Sequence, residues 1–155
     1  MDFIGHDINL AVTRSVWTAM HFDSRYKPSS LQINMVNAGW LGRKSGKGFY
    51  DYKNDEILNS TIPNSTSTKI SDRIIAMLIN EAADAYYYGI ATIQDIDKAV
   101  MSGVNYPKGL LKWADEIGIA ECVNRMDILH NFYHEERYRC SPGLRKMAMS
   151  KQTYF

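Results

Sequence analysis

The chain is poor in the features that mark several common classes of protein. Its two cysteines, Cys122 and Cys140, are isolated in sequence, which excludes a disulfide scaffold or paired-cysteine metal motif and favours a reducing, cytoplasmic compartment. No apolar run approaches the roughly 20 residues that cross a bilayer, and the N-terminus lacks a signal-peptide pattern. The net charge is only +1, with Lys and Arg spread along the chain, which argues against a nucleic-acid partner.

Glycine, in contrast, is concentrated in one basic segment, residues 39–52. Four glycines and the cations Arg43, Lys44 and Lys47 precede the aromatic residues Phe49, Tyr50 and Tyr52. This pattern predicts a tight loop followed by a short strand. A phosphate-binding P-loop is excluded because Leu41 stands where its first glycine belongs and Gly48 follows the lysine.

Elsewhere the apolar spacing predicts helices. These cover Ile8–Phe22 with Asp7 as N-cap, a segment from Ser29 or Ser30 to Gly39, Ile70–Tyr88, Thr92–Ser102 with a Thr92/Asp95 capping box, Pro107–Ile117, Ala120–Glu136 and Pro142–Met149. Residues 53–68 are polar and short-chained around their centre, so we expect a linker there. The fold class predicted from this pattern is all-α, with one short loop-strand segment.

The chain also resembles itself at an offset of 113 residues. Asp2, Ile4, Gly5 and His21 pair with Asp115, Ile117, Gly118 and His134; after a one-residue gap, Arg25, Tyr26, Ser29 and Met35 pair with Arg137, Tyr138, Ser141 and Met147. Thr153–Phe155 can be aligned with Gly48–Tyr50 as a shortened version of the loop and strand. We therefore predict a tandem repeat. Its parts are the C-terminal half of a first copy at 1–52, a linker at 53–68 and a second copy at 69–155, the first copy lacking its front.

Two groups of residues carry a resemblance to a known family. Gly42–Tyr52, preceded by Met1–Asp7, and Asn105–Leu111, followed by Asp115–Gly118, closely resemble the C-terminal helical domain of NAD-dependent 3-hydroxyacyl-CoA dehydrogenases. The resemblance implies a helical bundle like the C-terminal domain of 6-phosphogluconate dehydrogenase. Tandem copies resemble the bacterial enzymes of this family that act on short substrates, such as 3-hydroxybutyryl-CoA dehydrogenases.

The family's activity sets further expectations for this chain. Such enzymes oxidise (S)-3-hydroxyacyl-CoA to 3-oxoacyl-CoA in fatty-acid or phenylacetate breakdown, with a catalytic His and Glu and the NAD fingerprint on an upstream Rossmann domain. These 155 residues contain no such fingerprint. We therefore expect a catalytically inactive C-terminal region with no catalytic, cofactor-binding or metal-binding residues, and NAD bound only by the full-length enzyme. By resemblance we also expect a homodimer and an acyl-CoA substrate.

One family catalytic residue belongs to the helical domain, an Asn followed by Arg at the start of the long helix. The matching position here holds Asp72, followed by Arg73. An amide donates a hydrogen bond, whereas an ionised carboxylate only accepts one, so the second copy is predicted to lack an active site. An Asp near a helix N-terminus is also an ordinary choice that compensates the helix dipole.

Three other groups leave alternatives open. Tyr86–Tyr88 are interpreted as an interface in preference to an acyl-CoA-facing surface. His130 and His134, with Glu135, have the spacing of zinc ligands, but Asn131 replaces the glutamate of the metalloprotease motif, which favours a structural role. The cations of the glycine-rich loop could face CoA phosphates or simply form a solvated turn. The competing function, from a different class, is a stand-alone helical interaction or oligomerisation module.

Overall fold

A computed structural model describes residues 1–53 and 63–155. Within these ranges the chain forms seven α-helices and no β-strand, which confirms the all-α prediction. The helices are α1 (His6–Ala19), α2 (Ser30–Asn37), α3 (Asn64–Tyr87), α4 (Ile93–Gly103), α5 (Leu110–Ile117), α6 (Ile119–Tyr133) and α7 (Pro142–Ser150). Contacts divide the chain into two compact units, Met1–Thr61 and Ile62–Phe155.

The second unit holds the larger hydrophobic core. Its long helix α3 packs against α5, α6 and α7, and the four side chains Ile79, Leu111, Met126 and Leu144 are completely buried between these helices. Burial of one such side chain stabilises the fold by about 1.5–3 kcal/mol. The apolar face of α3 is therefore the element around which this unit is built.

The first unit has a smaller core, formed where α1 packs on α2. Leu10 and Met35 are buried there. A polar cluster lies beside them, in which the Gln32 side-chain amide donates hydrogen bonds to Asn9 Oδ1 and, at 2.8 Å, to Thr13 Oγ1. These hydrogen bonds join α2 to α1 beside the small core.

Helix caps follow the local sequence signals closely. Ser29 and Ser141 are the N-caps of α2 and α7, and each side chain accepts a hydrogen bond from the backbone N–H three residues later. Thr92 caps α4 through the predicted box with Asp95, because its hydroxyl both accepts from the Asp95 N–H and bonds the Asp95 carboxylate. The predicted caps at Ser29 and Thr92 are confirmed, whereas the Ser141 cap was not predicted.

The segments paired in sequence also adopt matching backbone conformations. Gly5 (φ 111°, ψ 136°) precedes α1, and Gly118 (φ 95°, ψ 126°) precedes α6. Shortly after these helices end, His21 and His134 take left-handed conformations with φ of 53° and 51°. A short 3-10 turn follows in each case, at Ser24–Tyr26 and at Glu136–Tyr138.

Some predicted boundaries were wrong. The N-cap of α1 is Gly5 and not Asp7, and the helix ends at Ala19, before the left-handed residues His21 and Phe22. Helix α5 begins at Leu110 and not at Pro107, because Gly109 is its N-cap. Helix α6 ends at Tyr133, short of the predicted Glu136.

The loop-strand and linker predictions also need correction. No strand forms at residues 49–52; the glycine-rich loop holds only isolated bridges that join Gly42 to Lys47 and Lys47 to Asp51. Helix α3 begins at Asn64, so the last five residues of the predicted linker are helical. Residues 54–62 of that linker lie outside the described residues.

Candidate functional site

The glycine-rich loop is organised around the carboxylate of Asp2. Asp2 accepts hydrogen bonds from the backbone N–H groups of Phe49 and Tyr50, both at 3.1 Å, and from the Tyr52 hydroxyl at 3.0 Å. His6 Nε2 lies 2.7 Å from the same carboxylate, and the His6 side chain is fully buried. One acidic side chain therefore ties α1 to the end of the loop.

These contacts change the acidity of Asp2. Burial raises the pKa of its carboxyl group, but the hydrogen bonds from Phe49, Tyr50, His6 and Tyr52 outweigh it and lower the pKa from 3.8 to about 2. The loop comes so close that a Cβ at Gly48 would lie 2.5 Å from the Asp2 carboxylate. Glycine is thus required at position 48 by the close approach, and Asp2 stays ionised at neutral pH.

The three cations of the loop each have a partner within the first unit. Lys44 Nζ donates a hydrogen bond to Asp7 Oδ2 at 2.7 Å. Lys47 Nζ lies 4.0 Å from the centre of the Trp40 ring, and the Arg43 guanidinium lies over the rings of Phe3 and Tyr52. These contacts account for the cations without a ligand.

The second unit repeats the same arrangement with a shorter loop. Asp115, which pairs with Asp2 in sequence, accepts hydrogen bonds from the backbone N–H groups of Tyr154 and Phe155 at 2.9–3.1 Å and 2.9 Å. Asp97 serves the start of α5 in a similar way, because its carboxylate accepts from the N–H groups of Leu111 and Lys112. Aspartate side chains thus tie chain segments to helix ends throughout this fold.

Asp72, which matches the position of the family's catalytic asparagine, lies at a shallow surface between α3 and α6. Asp72 Oδ1 is 3.3 Å from Arg125 Nη1, and Arg125 Nε donates to Glu121 at 2.9 Å. The neighbouring Arg73 stacks on the Tyr133 ring and donates to its hydroxyl at 3.0 Å. The surrounding cavity has a volume of about 470 Å³. Asp72 is therefore one member of a surface ion-pair network.

Comparison with a protein-family model decides the family. The model described as 3-hydroxyacyl-CoA dehydrogenase, C-terminal domain, matches residues 1–52 and 70–153. The chain belongs to this family. The predicted resemblance to the C-terminal helical domain of this family is confirmed.

Individual members of the family match to different extents. The 3-hydroxyadipyl-CoA dehydrogenase of Escherichia coli K12 is 29% identical over 239 aligned residues, which cover 99% of this chain and 50% of that protein. The probable 3-hydroxybutyryl-CoA dehydrogenase of Deinococcus radiodurans is 38% identical over 81 residues, or 52% of this chain and 29% of that protein. The crystal structure of a 3-hydroxybutyryl-CoA dehydrogenase from Escherichia coli K12 superposes with a TM-score of 0.78 at 26% identity, over 96% of this chain and 50% of that one.

This family member therefore spans about half the length of the two Escherichia coli relatives. The alignment with the Escherichia coli relative is longer than the chain itself, so the relative carries extra residues inside the matched stretch. Within the described ranges, no helix has both the length and the apolar character needed to cross a membrane.

Two of the three consecutive tyrosines, Tyr86 and Tyr87 at the end of α3, border a cavity. Tyr86 and Tyr87 line it together with Lys146 and Lys151, its volume is about 930 Å³, and Tyr86 meets Tyr154 edge to face. Tyr88 is exposed beside them. The interface at these tyrosines stays a prediction.

The histidine and cysteine side chains form no metal centre in the described part of the chain, where no three His, Cys, Asp or Glu side chains cluster closely enough to hold an ion. His134 ends α6 as a left-handed C-cap whose N–H donates to the His130 carbonyl. Cys122 and Cys140 are buried, and burial raises the pKa of each thiol to about 11.

Sequence reasoning missed the aspartates that tie the loops to the helices. Asp2 and Asp115 were noted only as a matched pair, and Asp97 was not noted at all. A usable signal was the glycine beside two of these contacts, since Gly48 and Gly109 leave the space that a close carboxylate needs. The glycine at 109 has this role, because a Cβ there would lie 2.0 Å from the Asp97 carboxyl carbon.

Proposed function

We propose that this chain is the helical C-terminal region of an NAD-dependent 3-hydroxyacyl-CoA dehydrogenase that acts in the cytoplasm. The complete enzyme would oxidise (S)-3-hydroxyacyl-CoA to 3-oxoacyl-CoA in fatty-acid or phenylacetate breakdown. The observation that carries this proposal is the match of one family model to both units, at residues 1–52 and 70–153. The role proposed for this region is to form part of the substrate side of the enzyme and to hold a homodimer together.

The domain organisation proposed is a tandem pair, with one copy at 1–52 and the other at 69–155, joined by 53–68. Its support is local: matched glycine and histidine conformations, serine caps at Ser29 and Ser141, and an aspartate that accepts two consecutive N–H groups in each unit. Relatives that cover about half of this chain agree with a repeated unit.

We propose that residues 1–155 alone are catalytically inactive. The family's asparagine position holds Asp72, whose carboxylate is paired with Arg125 and offers no amide donor. The described residues contain no strand, and hence no strand, glycine-rich turn and helix to cradle a dinucleotide. NAD does not fit the described part of this chain, and no step of the reaction is assigned to its residues.

A complementation experiment tests this function. The chain is co-expressed with the half of the Escherichia coli relative that it does not span, and dehydrogenase activity is assayed with 3-hydroxybutyryl-CoA. We expect activity from the pair and none from either half alone, and no binding of NAD to this chain in calorimetry. Turnover by the isolated chain would contradict the proposed inactivity. Two halves that co-purify but show no dehydrogenase activity would count against the proposed role on the substrate side of the enzyme.

The alternative is a stand-alone helical interaction module, and one observation favours it. One side of α1 carries a row of exposed aliphatic side chains, Ile8, Val12 and Val16, and contiguous exposed apolar residues of this kind mark interaction surfaces. Calorimetric titration with acetoacetyl-CoA separates the two functions. Binding that weakens in the Lys44→Ala variant would support a retained part of an acyl-CoA site, whereas self-association without thioester binding would support the module.

A further inference from the structure

A cavity of about 930 Å³ lies in the second unit, between the end of α3, the start of α4, helix α7 and the C-terminal segment. Every described residue that lines it belongs to this unit, so the cavity is a feature of the second unit by itself. Sites that hold small molecules have volumes of about 300–1,000 Å³. The cavity is therefore large enough for a small ligand.

Three tyrosine rings form an aromatic wall of this cavity. Tyr86 and Tyr87 come from the end of α3 and Tyr154 from the C-terminal segment, and the rings of Tyr86 and Tyr154 meet edge to face with their centres 5.9 Å apart. Gly143 brings the start of α7 close to the same wall, since a Cβ there would lie 2.8 Å from the Tyr87 Cβ. Aromatic rings pack on one another edge to face or offset, so this wall suits a ligand with a flat aromatic ring.

The hydroxyl group of Tyr154 has no hydrogen-bond partner among the described residues, although Tyr154 is only 7% exposed. Its backbone N–H, in contrast, donates to the Asp115 carboxylate. Burial, and next the negative charge of Asp115, raise the pKa of the Tyr154 phenol well above its usual range, so the hydroxyl keeps its proton and remains a donor. A buried donor without a partner is costly, and a ligand in the cavity that Tyr154 lines would supply the missing acceptor.

The charged side chains of the cavity are both cationic. Lys146 lies on α7 and Lys151 directly follows that helix, while no Asp or Glu of the described residues lines the cavity. Lys151 also has an uncommon backbone conformation for a lysine, with φ of 53°, whereas Gly39 occupies the corresponding place after α2 with φ of 70°. Glycine adopts this conformation without strain. The second unit therefore places a positive charge at the cavity at some cost in backbone strain.

We propose that this cavity binds a small anion that carries an aromatic ring, at a site separate from the substrate side of the enzyme. The tyrosine rings pack on the ring of the ligand, the Tyr154 hydroxyl donates a hydrogen bond to it, and Lys146 and Lys151 hold its anionic group. An uncharged aromatic ligand would leave both ammonium groups without a counter-ion, and an inorganic anion would leave the tyrosine rings uncovered. The inference does not rest on the proposed dehydrogenase function.

Isothermal titration calorimetry of the full chain with two probes tests the site. AMP joins a flat ring to a phosphate, and 2-naphthoate joins a flat ring to a carboxylate. We expect at least one of these anions to bind at least about tenfold more tightly than its uncharged counterpart, adenosine or 2-naphthol. Binding of AMP alone would identify a phosphate ligand, and binding of 2-naphthoate alone would identify a carboxylate ligand. Absence of binding by both anions, or equal binding of the anions and their uncharged counterparts, would overturn the proposal.

Two variants locate the bound anion in this cavity. Lys151→Gly removes one charge at a position whose left-handed conformation suits glycine, so we expect an intact fold and binding weakened by about three- to tenfold. Tyr154→Phe removes the hydroxyl but no described hydrogen bond, so we expect weaker binding at an unchanged thermal midpoint. The matched control is Lys98→Ala, which removes a lysine of α4 that lines a different cavity and should leave binding unchanged.

Three outcomes of these measurements would contradict the assignment of the site. Unchanged affinity in both Lys151→Gly and Tyr154→Phe would mean that the anion binds elsewhere on the chain. A loss in Lys98→Ala as large as that in Lys151→Gly would mean binding in the other cavity or binding to lysines in general. Displacement of the bound anion by acetoacetyl-CoA would assign the cavity to the substrate, and a separate site would then be excluded.

Discussion

Replacing Asp2 by asparagine isolates the contribution of one carboxylate to the first unit. In the native structure this carboxylate accepts from His6, Phe49, Tyr50 and Tyr52. Asparagine keeps the shape but offers one acceptor oxygen, and its NH₂ group then faces N–H donors. Loss of hydrogen bonds to a charged acceptor, with donors left unpaired, destabilises a fold by about 1–3 kcal/mol per group, so we expect Asp2→Asn to cost about 2–4 kcal/mol.

The matched control is Asp115→Asn in the second unit. Among the described residues, Asp115 accepts only from the N–H groups of Tyr154 and Phe155, near the end of the chain, so we expect a smaller loss of about 1–2 kcal/mol. Hydrogen exchange followed by mass spectrometry measures the amide protection of each unit separately. The peptide that contains Phe49 and Tyr50 reports on the Asp2 contacts. Equal losses for the two variants, or undiminished protection of these amides in Asp2→Asn, would refute the reasoning.

The same carboxylate predicts a pH dependence. The pKa of Asp2 is lowered to about 2 in the folded chain and is near 3.8 when the group is unperturbed. Folding therefore gains stability from Asp2 above about pH 4, and this gain disappears as the pH falls from about 4 to 2. The difference in pKa corresponds to about 2 kcal/mol. Urea unfolding of the native chain should show this acid loss, and Asp2→Asn should lack it.

Three other substitutions or reactions have definite expected outcomes. Gly109→Ala should destabilise the second unit by about 2 kcal/mol in urea unfolding, since its Cβ would overlap the Asp97 carboxyl group; an unchanged midpoint would contradict the close contact. Asp72→Asn should cost less than about 1 kcal/mol, because its ion pair lies at the surface, and should give no dehydrogenase turnover. Cys122 and Cys140 should react with Ellman's reagent at pH 8 only after unfolding, because both thiols are buried with pKa values near 11; rapid labelling of the folded chain would contradict their burial.

Local signals in the sequence were sufficient to predict most of the helices. The caps at Ser29, Thr92 and Ser141 act through hydrogen bonds within four residues, so the sequence alone contains all the information they need. Boundaries set by distant contacts were predicted less well. Pro107 is a suitable first residue for a helix, yet α5 starts three residues later, because the Asp97 carboxylate bonds the N–H groups of Leu111 and Lys112.

The predicted strand failed for a related reason. Phe49 and Tyr50 have aromatic strand character, but their N–H groups donate to the Asp2 side chain and not to a neighbouring strand. Nothing in the local pattern reveals an acceptor 47 residues away. The candidate site was limited in the same way: the sequence identified Asp72 through its family position, but its pairing with Arg125 depends on how α3 packs on α6.

Comparison of the two units distinguishes the role of the glycine-rich loop from the role of the aspartate that binds the end of the segment. Gly39 and Lys151 both take left-handed conformations after α2 and α7, with φ of 70° and 53°. In the first unit the whole loop through Gly48 lies between this turn and Phe49, whose N–H donates to the Asp2 carboxylate. In the second unit only three residues separate Lys151 from Tyr154, whose N–H donates to Asp115. A chain segment can therefore be tied to its aspartate without the loop. Because the fold tolerates the shorter connection, the aspartate contact alone does not require the longer loop of the first unit.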